Sequence, residues 1–402
     1  MKRFSAFVLL FTIILSISLF GCKKEQPVNY QVNSENIINI GVLLPDNEIY
    51  RSSGQKVLEG INFANVTAQT INIDKEYTIS LIVRYESQIQ KAYEEFIDNK
   101  VSAVIAYGGD SYTTDLITQK FADTDIPVIF TDNWSKSIAD SDNVFSISAS
   151  HTFEASALAG YISEQGYKKG ALVKINNGQD LYQDFSEVFS ASLEQNFGIT
   201  LTTYEAEGKK PDYNAGSIAA GGYEFVCVYA DTVSAASYIE EMKEAGVKAE
   251  FLMGEVTDKT LLENDAFEGV SFLSKFEYDD ENYIGSDFIN VYSDKMTIPV
   301  SDNNAAIAYG YDAYVLVYEA LKTFSTTGND LLGAVGNAQS ATEEENVTIS
   351  ITDMLNAFKN ITCYGVTDEI KFDETGLNSA EFIYVDTIQS QKAMMMKKYS
   401  YK

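Results

Sequence analysis

The sequence predicts an α/β protein of two doubly wound parallel-sheet lobes, and three observations carry that prediction. Short apolar runs rich in Val and Ile alternate with helical stripes, first over residues 37–130 and afresh from residue 170, the pattern of parallel strands covered on both faces. The 402 residues exceed what one hydrophobic core normally supports. Polar clusters fall repeatedly just past the carboxyl ends of the expected strands, the edge at which open α/β sheets bind ligands.

At the N-terminus, Lys2 and Arg3 precede an apolar run from Ser5 to Phe20 that ends in Leu19-Phe20-Gly21-Cys22. That run reads as a secretory leader over residues 1–21. Its end resembles the lipobox of bacterial lipoproteins, in which the chain is cut before a cysteine whose thiol carries lipid. Cys22 is therefore the expected anchor, and residues 22–36, polar and without period, read as a flexible tether. Thioether-linked diacylglycerol supplies more than one acyl chain, enough for stable anchoring. The expected location is outside the cytoplasm, held at the bacterial membrane, in the periplasm or at the cell surface.

The first lobe is expected to begin with a strand at Ile37–Leu44, then a helix at Gln55–Gln69 with Val57, Ile61, Ala64 and Ala68 on one face. Strand Tyr77–Arg84 and helix Ile89–Lys100 follow. Val101–Tyr107 is a buried strand closed by Gly108-Gly109, and a helix resumes near Leu116. Between them, Asp110, Ser111, Thr113 and Thr114 gather hydroxyls and backbone N–H groups where a strand ends and a helix begins, a natural anion site. The same residue types also suit helix capping, and the two roles are compatible. Ile126–Phe130 is the next strand.

Phe145–Ala149 leads into a helix at Thr152–Gln165, after which the alternation restarts. Strands are expected at Gly170–Ile175, Ile199–Glu205, Gly222–Tyr229, Ala249–Met253 and Gly269–Ser274, with helices at Leu181–Phe197, Val233–Ala245 and near Lys259–Asn264. Gly246 stops the helix before it. Helical pattern returns at Ala305–Thr323 and Ile351–Lys359 around a polar insertion, Ser325–Ser350. Two last strands, Glu369–Phe372 and Glu381–Thr387, flank a turn at Asp373–Gly376, and residues 391–402 read as a tail.

Composition narrows the function. With 45% hydrophobic and 12% aromatic residues the chain folds, and its formal charge of −29 sets nucleic acid aside as a partner. Loss of Lys2 and Arg3 with the leader takes that charge to −31. Beyond Cys22 only Cys227 and Cys363 remain, and both are expected unpaired. The single histidine, His151, excludes a multi-histidine metal site, and it reads as a partly exposed loop residue. There is no Walker loop and no G-x-S-x-G elbow, so neither enzymatic activity nor a cofactor or metal is expected.

Several segments keep the order and spacing of a known family: I-G-V-L-L-P (40–45), S-G-Q-K-V-L-E-G-I-N-F-A (53–64), V-I-A-Y-G-G-D-S (104–111), F-V-C-V-Y-A-D (225–231), E-M-K-E-A-G-V-K-A-E-F-L-M-G-E (241–255) and F-D-E-T-G (372–376). The chain resembles type I periplasmic solute-binding proteins, in the leucine/isoleucine/valine-binding branch that serves ABC importers. The resemblance implies two lobes joined by a three-crossover hinge, with a solute enclosed between them. It places lobe one at 37–147 plus 280–362 and lobe two at 148–279 plus 363–390. It also implies that Ser111, Tyr112 and Thr113 hold a solute carboxylate, that Asn133 and Trp134 add contacts, and that Tyr182, Asp231 and Glu255 close from lobe two, Glu255 taking an ammonium. Asp110 stands where relatives have a small neutral group, and Trp134 is bulkier than the usual residue there. The expected function is a lipid-anchored receptor, a monomer, that delivers an amino acid or similar zwitterion to an ABC permease. The alternative is a ligand-sensing surface module of the same fold without a permease.

Overall fold

The computed structural model describes residues 37–48, 50–67, 71–72, 76–132, 135–175, 183–208, 211–255, 265–276, 288, 305–324, 351–379 and 382–400. The first lobe is built on a six-stranded sheet: β1 (Ile37–Leu44), β2 (Ile71–Asn72), β3 (Glu76–Tyr85), β4 (Val104–Ala106), β5 (Val128–Phe130) and β6 (Val144–Ser146). Their lateral order is β2-β3-β1-β4-β5-β6, with β3, β1, β4, β5 and β6 parallel and β2 antiparallel at one edge. Helices α1 (Arg51–Thr67), α2 (Ile89–Asp98) and α3 (Ser111–Phe121) return the chain between strands. The order reverses between β1 and β4, so the crevice of a doubly wound sheet opens there, outside the carboxyl ends of those strands.

The second lobe restarts with α4 (His151–Glu164), β7 (Lys169–Ile175), α5 (Gln183–Ala191), β8 (Thr200–Ala206), α6 (Ala215–Gly221), β9 (Phe225–Tyr229), α7 (Thr232–Glu244), β10 (Glu250–Glu255) and β11 (Ser271–Ser274). Its sheet reads β15-β14-β11-β10-β9-β7-β8. Here the reversal lies between β7 and β9. The core gathers fully buried aromatics, Phe225 and Phe272 on strands and Phe185 and Phe189 on α5, each contributing roughly 1.5–3 kcal/mol through burial.

After the second lobe the chain returns to the first with α8 (Ala305–Lys322) and α9 (Ile351–Asn360). Helix α8 crosses α1 so closely that a Cβ on Gly60 would lie 2.0 Å from the Ile307 carbonyl oxygen, and one on Gly310 would lie 2.2 Å from that of Val57. The two glycines are what allow the crossing. Buried Asp312 on α8 then accepts the Val366 and Thr367 amides, both at 2.7 Å. Burial raises its carboxyl to about 6, against the pull of the Thr367 hydroxyl and the two amides.

Three differences from the sequence reading stand out. The hairpin β12 (Thr362–Tyr364) and β13 (Glu369–Lys371) packs into the first lobe's core through Cys363, Ile370 and Phe372, whereas the expected boundary gave residues from 363 to lobe two. Strand β14 (Phe382–Gln389) pairs antiparallel with β15 (Lys392–Ser400), so most of the supposed tail is a sheet edge. Helix α6 was not expected at all, because A-G-S-I-A-A-G shows no apolar stripe; Asn214 caps it through the Ser217 amide at 2.9 Å and Gly222, at φ +62°, ends it. The turn at Asp373–Gly376 is present, with Asp373 Oδ1 accepting the Thr375 amide at 2.8 Å. The expected helix near Lys259–Asn264 and the insertion Ser325–Ser350 lie outside the described residues. Among the described residues no helix is long and apolar enough to cross a membrane, and Cys227 and Cys363 are free and buried.

Candidate functional site

Along the carboxyl edge of the first sheet, the four neighbouring strands β3, β1, β4 and β5 each end within a few residues of an acid: Glu86, Asp46, Asp110 and Asp132. The turn after β4 is held tightly. Gly108 has φ +72°, and a Cβ there would lie 2.6 Å from the Asp132 carbonyl oxygen and from the Phe130 ring, so only glycine fits. Asp110 is extended and caps α3, its Oδ1 accepting the Thr113 amide at 2.7 Å. Thr114 Oγ1 donates to the carbonyls of Gly108 and Asp110, at 3.1 and 2.9 Å. Helix α3 therefore starts at Ser111 rather than near Leu116, and the cap is Asp110 rather than Ser111 or Thr113. Ser111 and Thr113 sit half-buried in the first turn, and Tyr112 is 57% exposed.

Glu86 lies beside this turn, 9% exposed, and accepts a hydrogen bond from the Gly108 amide. Its Oε1 has no hydrogen-bond partner. Burial first, then the carboxylates of Asp110 and Asp46, push its acid up to about 8, with only the Gly108 amide opposing.

The edge of the second sheet repeats the capping device. Asp231, just past β9, caps α7 by accepting the Ser234 amide at 3.0 Å. Glu255 is the last residue of β10 and pairs in register with Leu273 of β11. Gly254 before it is required, because a Cβ there would lie 2.7 Å from the Tyr229 ring.

The two edges meet at Lys275. This residue follows β11, is 4% exposed, and its Nζ donates to Asp132 Oδ1 of the first lobe at 2.6 Å. The same ammonium lies 3.1 Å from Glu154 Oε1 on α4, at ion-pair distance though not aligned as a hydrogen bond. Glu154 Oε2 accepts the Tyr229 hydroxyl at 2.7 Å and lies 3.0 Å from His151 Nδ1, which is 2.6 Å from the Tyr229 oxygen. Burial drives the Glu154 acid upward, but the charges of His151 and Lys275 and the hydrogen bonds from His151 and Tyr229 outweigh it and hold the carboxyl at about 2. From the first lobe, the Tyr309 hydroxyl donates to the Lys275 carbonyl at 3.1 Å. His151 is thus the buried first residue of α4 and not the partly exposed loop residue expected.

Of the expected site residues, Ser111, Tyr112 and Thr113 share one helical turn on the first edge. Asp231 and Glu255 stand at the ends of the adjacent strands β9 and β10 on the second. Asn133, Trp134, Tyr182 and Cys22 lie outside the described residues, as does the Glu255 side chain. The sequence reading missed Glu86, Asp132, Glu154 and Lys275. One signal was present: an acid after each of four first-lobe strands. It means little until the lateral order of the strands makes those acids neighbours.

A family model for periplasmic binding proteins matches residues 37–347. Among solved structures, a leucine binding protein from Thermotoga maritima superposes with a TM-score of 0.74 at 18% identity, over 90% of this chain and 99% of that one. A solute binding protein of an ABC transporter from R. palustris, solved with benzoate, gives 0.70 at 15% identity over 90% and 96%. A branched-chain amino acid transporter substrate binding protein from Streptococcus pneumoniae, solved with isoleucine, gives 0.70 at 16% identity over 90% and 99%. At such identities the likeness is one of fold. No curated protein sequence matches the chain.

Proposed function

From the premise that the chain belongs to the periplasmic binding protein family, we propose that it is an extracytoplasmic receptor, anchored by lipid on Cys22, that closes its two lobes around an amino acid or similar small zwitterion and delivers it to an ABC permease. The observation that supports this reading is the meeting of the two carboxyl edges at Lys275, whose ammonium lies between Asp132, just past β5, and Glu154 on α4. A solute that bridges such edges stabilises the closed arrangement over the open one.

In this reading the solute carboxylate takes the Ser111 and Tyr112 amides and the Ser111 and Thr113 hydroxyls at the N-terminus of α3, where backbone donors favour an anion. The ammonium takes Glu255, with Asn133, Trp134, Tyr182 and Asp231 completing the enclosure. A buried carboxylate needs such a partner, since leaving it unpaired costs several kcal/mol. Titration calorimetry against a panel of amino acids is expected to find a ligand, and Glu255→Ala to weaken it far more than Glu263→Ala. Equal effects of the two substitutions would overturn this assignment of the site.

A further inference from the structure

The carboxyl edge of the first lobe carries more negative charge than the carboxylate end of a zwitterion can use. Two of the donors in the turn after β4 are already taken by the protein's own acids, the Gly108 amide by Glu86 and the Thr113 amide by Asp110. Asp46 stands just past β1, the strand between them, its carboxylate accepting the Ser87 hydroxyl. Arg51 is nearby, but its Nη2 donates to the Asp46 backbone carbonyl at 2.7 Å. The cation at the other end of the row, Lys275, is held by Asp132 and Glu154. Glu86 is left buried, within electrostatic reach of Asp46 and Asp110, with one oxygen unsatisfied. A buried carboxyl oxygen without a partner costs about 1–3 kcal/mol, a penalty that an incoming donor removes.

We propose that the Glu86 carboxyl, with Asp46 and Asp110 beside it, receives a second cationic group of the solute, so that the ligand is a basic amino acid with an ammonium or guanidinium side chain rather than a neutral branched-chain one. This deepens the receptor reading above and rests on it. The solute's α-carboxylate stays at Ser111 and Tyr112, and its side-chain cation turns toward the crevice between β1 and β4. The rings of Tyr50 and Tyr107, which crowd Gly109, add aromatic faces on the same turn, surfaces that favour a cation.

Binding has a proton signature. In the empty protein Glu86 carries its proton at neutral pH, because its acid sits at about 8. A cation docking on it displaces that proton to solvent, and the carboxylate that remains is neutralised in place.

The test is calorimetry with L-lysine and with L-norleucine, which has the same side chain without the terminal amine, in two buffers of different ionisation enthalpy at about pH 7. L-Lysine is expected to bind at least about 30-fold more tightly than L-norleucine, as a charge-assisted bond in a desolvated site allows, and to release close to one proton. Glu86→Gln copies the neutral form and so folds; it is expected to abolish the proton release and weaken L-lysine at least about tenfold while leaving L-norleucine unchanged. If L-norleucine binds as tightly as L-lysine and Glu86→Gln alters neither, this inference falls and the receptor reading stands. If no amino acid of either kind binds, the receptor reading fails and takes the inference with it.

Discussion

Glu86 and Glu154 are the same residue, both buried, and they lie on opposite sides of neutral. Glu154, completely buried, is held at about 2, whereas Glu86, 9% exposed, is raised to about 8. In both cases burial is the largest influence and pushes upward. The difference is the company each keeps. Glu154 has Lys275, His151 and the Tyr229 hydroxyl within 3.1 Å, while Glu86 has two more acids and one backbone amide. One carboxylate has its counter-charge within the chain, in Lys275, and so ties the lobes together. The other is incomplete until something positive arrives. A buried acid is thus structural or ligand-seeking according to whether its counter-charge comes from within the chain.

The sharpest way to break the contrast is to remove the counter-charge. Lys275→Met leaves Glu154 and Asp132 buried on facing edges with no ammonium between them, and such unpairing costs about 3–5 kcal/mol. Urea unfolding is expected to show a loss of that order. Adding Glu154→Gln to the same chain should recover part of it, because an amide needs no counter-ion. A loss below about 1 kcal/mol would mean that Lys275 behaves as a surface cation and that the interlobe tie is nominal.

The second effect is acid-dependent and smaller. The folded-state value of Glu154, about 2, lies below its ordinary 4.5, so its contribution is present above that ordinary value and is lost as pH falls toward 2. Thermal unfolding followed downward from about pH 5 is expected to lose stability on the order of 2 kcal/mol from this group. The Glu154→Gln variant should have a shallower acid limb.

How much of this was legible depends on how local each feature is. The parallel strands were readable because runs such as V-I-A and F-V-C-V-Y are apolar on both faces, and the turn after β4 because G-G-D-S is contiguous. The start of α3 was misplaced since its first turn, S-Y-T-T, is polar and the capping role of Asp110 hides in it. Strand β15 was missed because K-A-M-M-M-K-K-Y-S lies on a sheet edge with mostly exposed side chains and so lacks a buried alternation. The interlobe cluster was invisible for a different reason. Lys275 is 143 residues from Asp132, and His151 is 78 residues from Tyr229, and no local pattern joins positions so far apart. Only the strand order brings them together, and the same holds for the acids at the ends of β3, β1, β4 and β5.

The last effect tests the other half of the contrast, and its sign is opposite. Glu86 holds its proton in the folded, empty protein up to about 8, against 4.5 ordinarily. Its contribution to stability is therefore present below 4.5 and is lost as pH rises through 8. The empty protein should become less stable as pH rises from about 4.5 to about 8 and level off above that, and Glu86→Gln should remove that decline while leaving stability at about pH 4 unchanged. Saturation with a cationic solute should remove it as well, since the bound carboxylate is already ionised and has no proton left to surrender. A decline between about pH 4.5 and 8 that survives both Glu86→Gln and the solute would place its origin in another group, and the difference between the two buried glutamates would then be one of geometry without consequence.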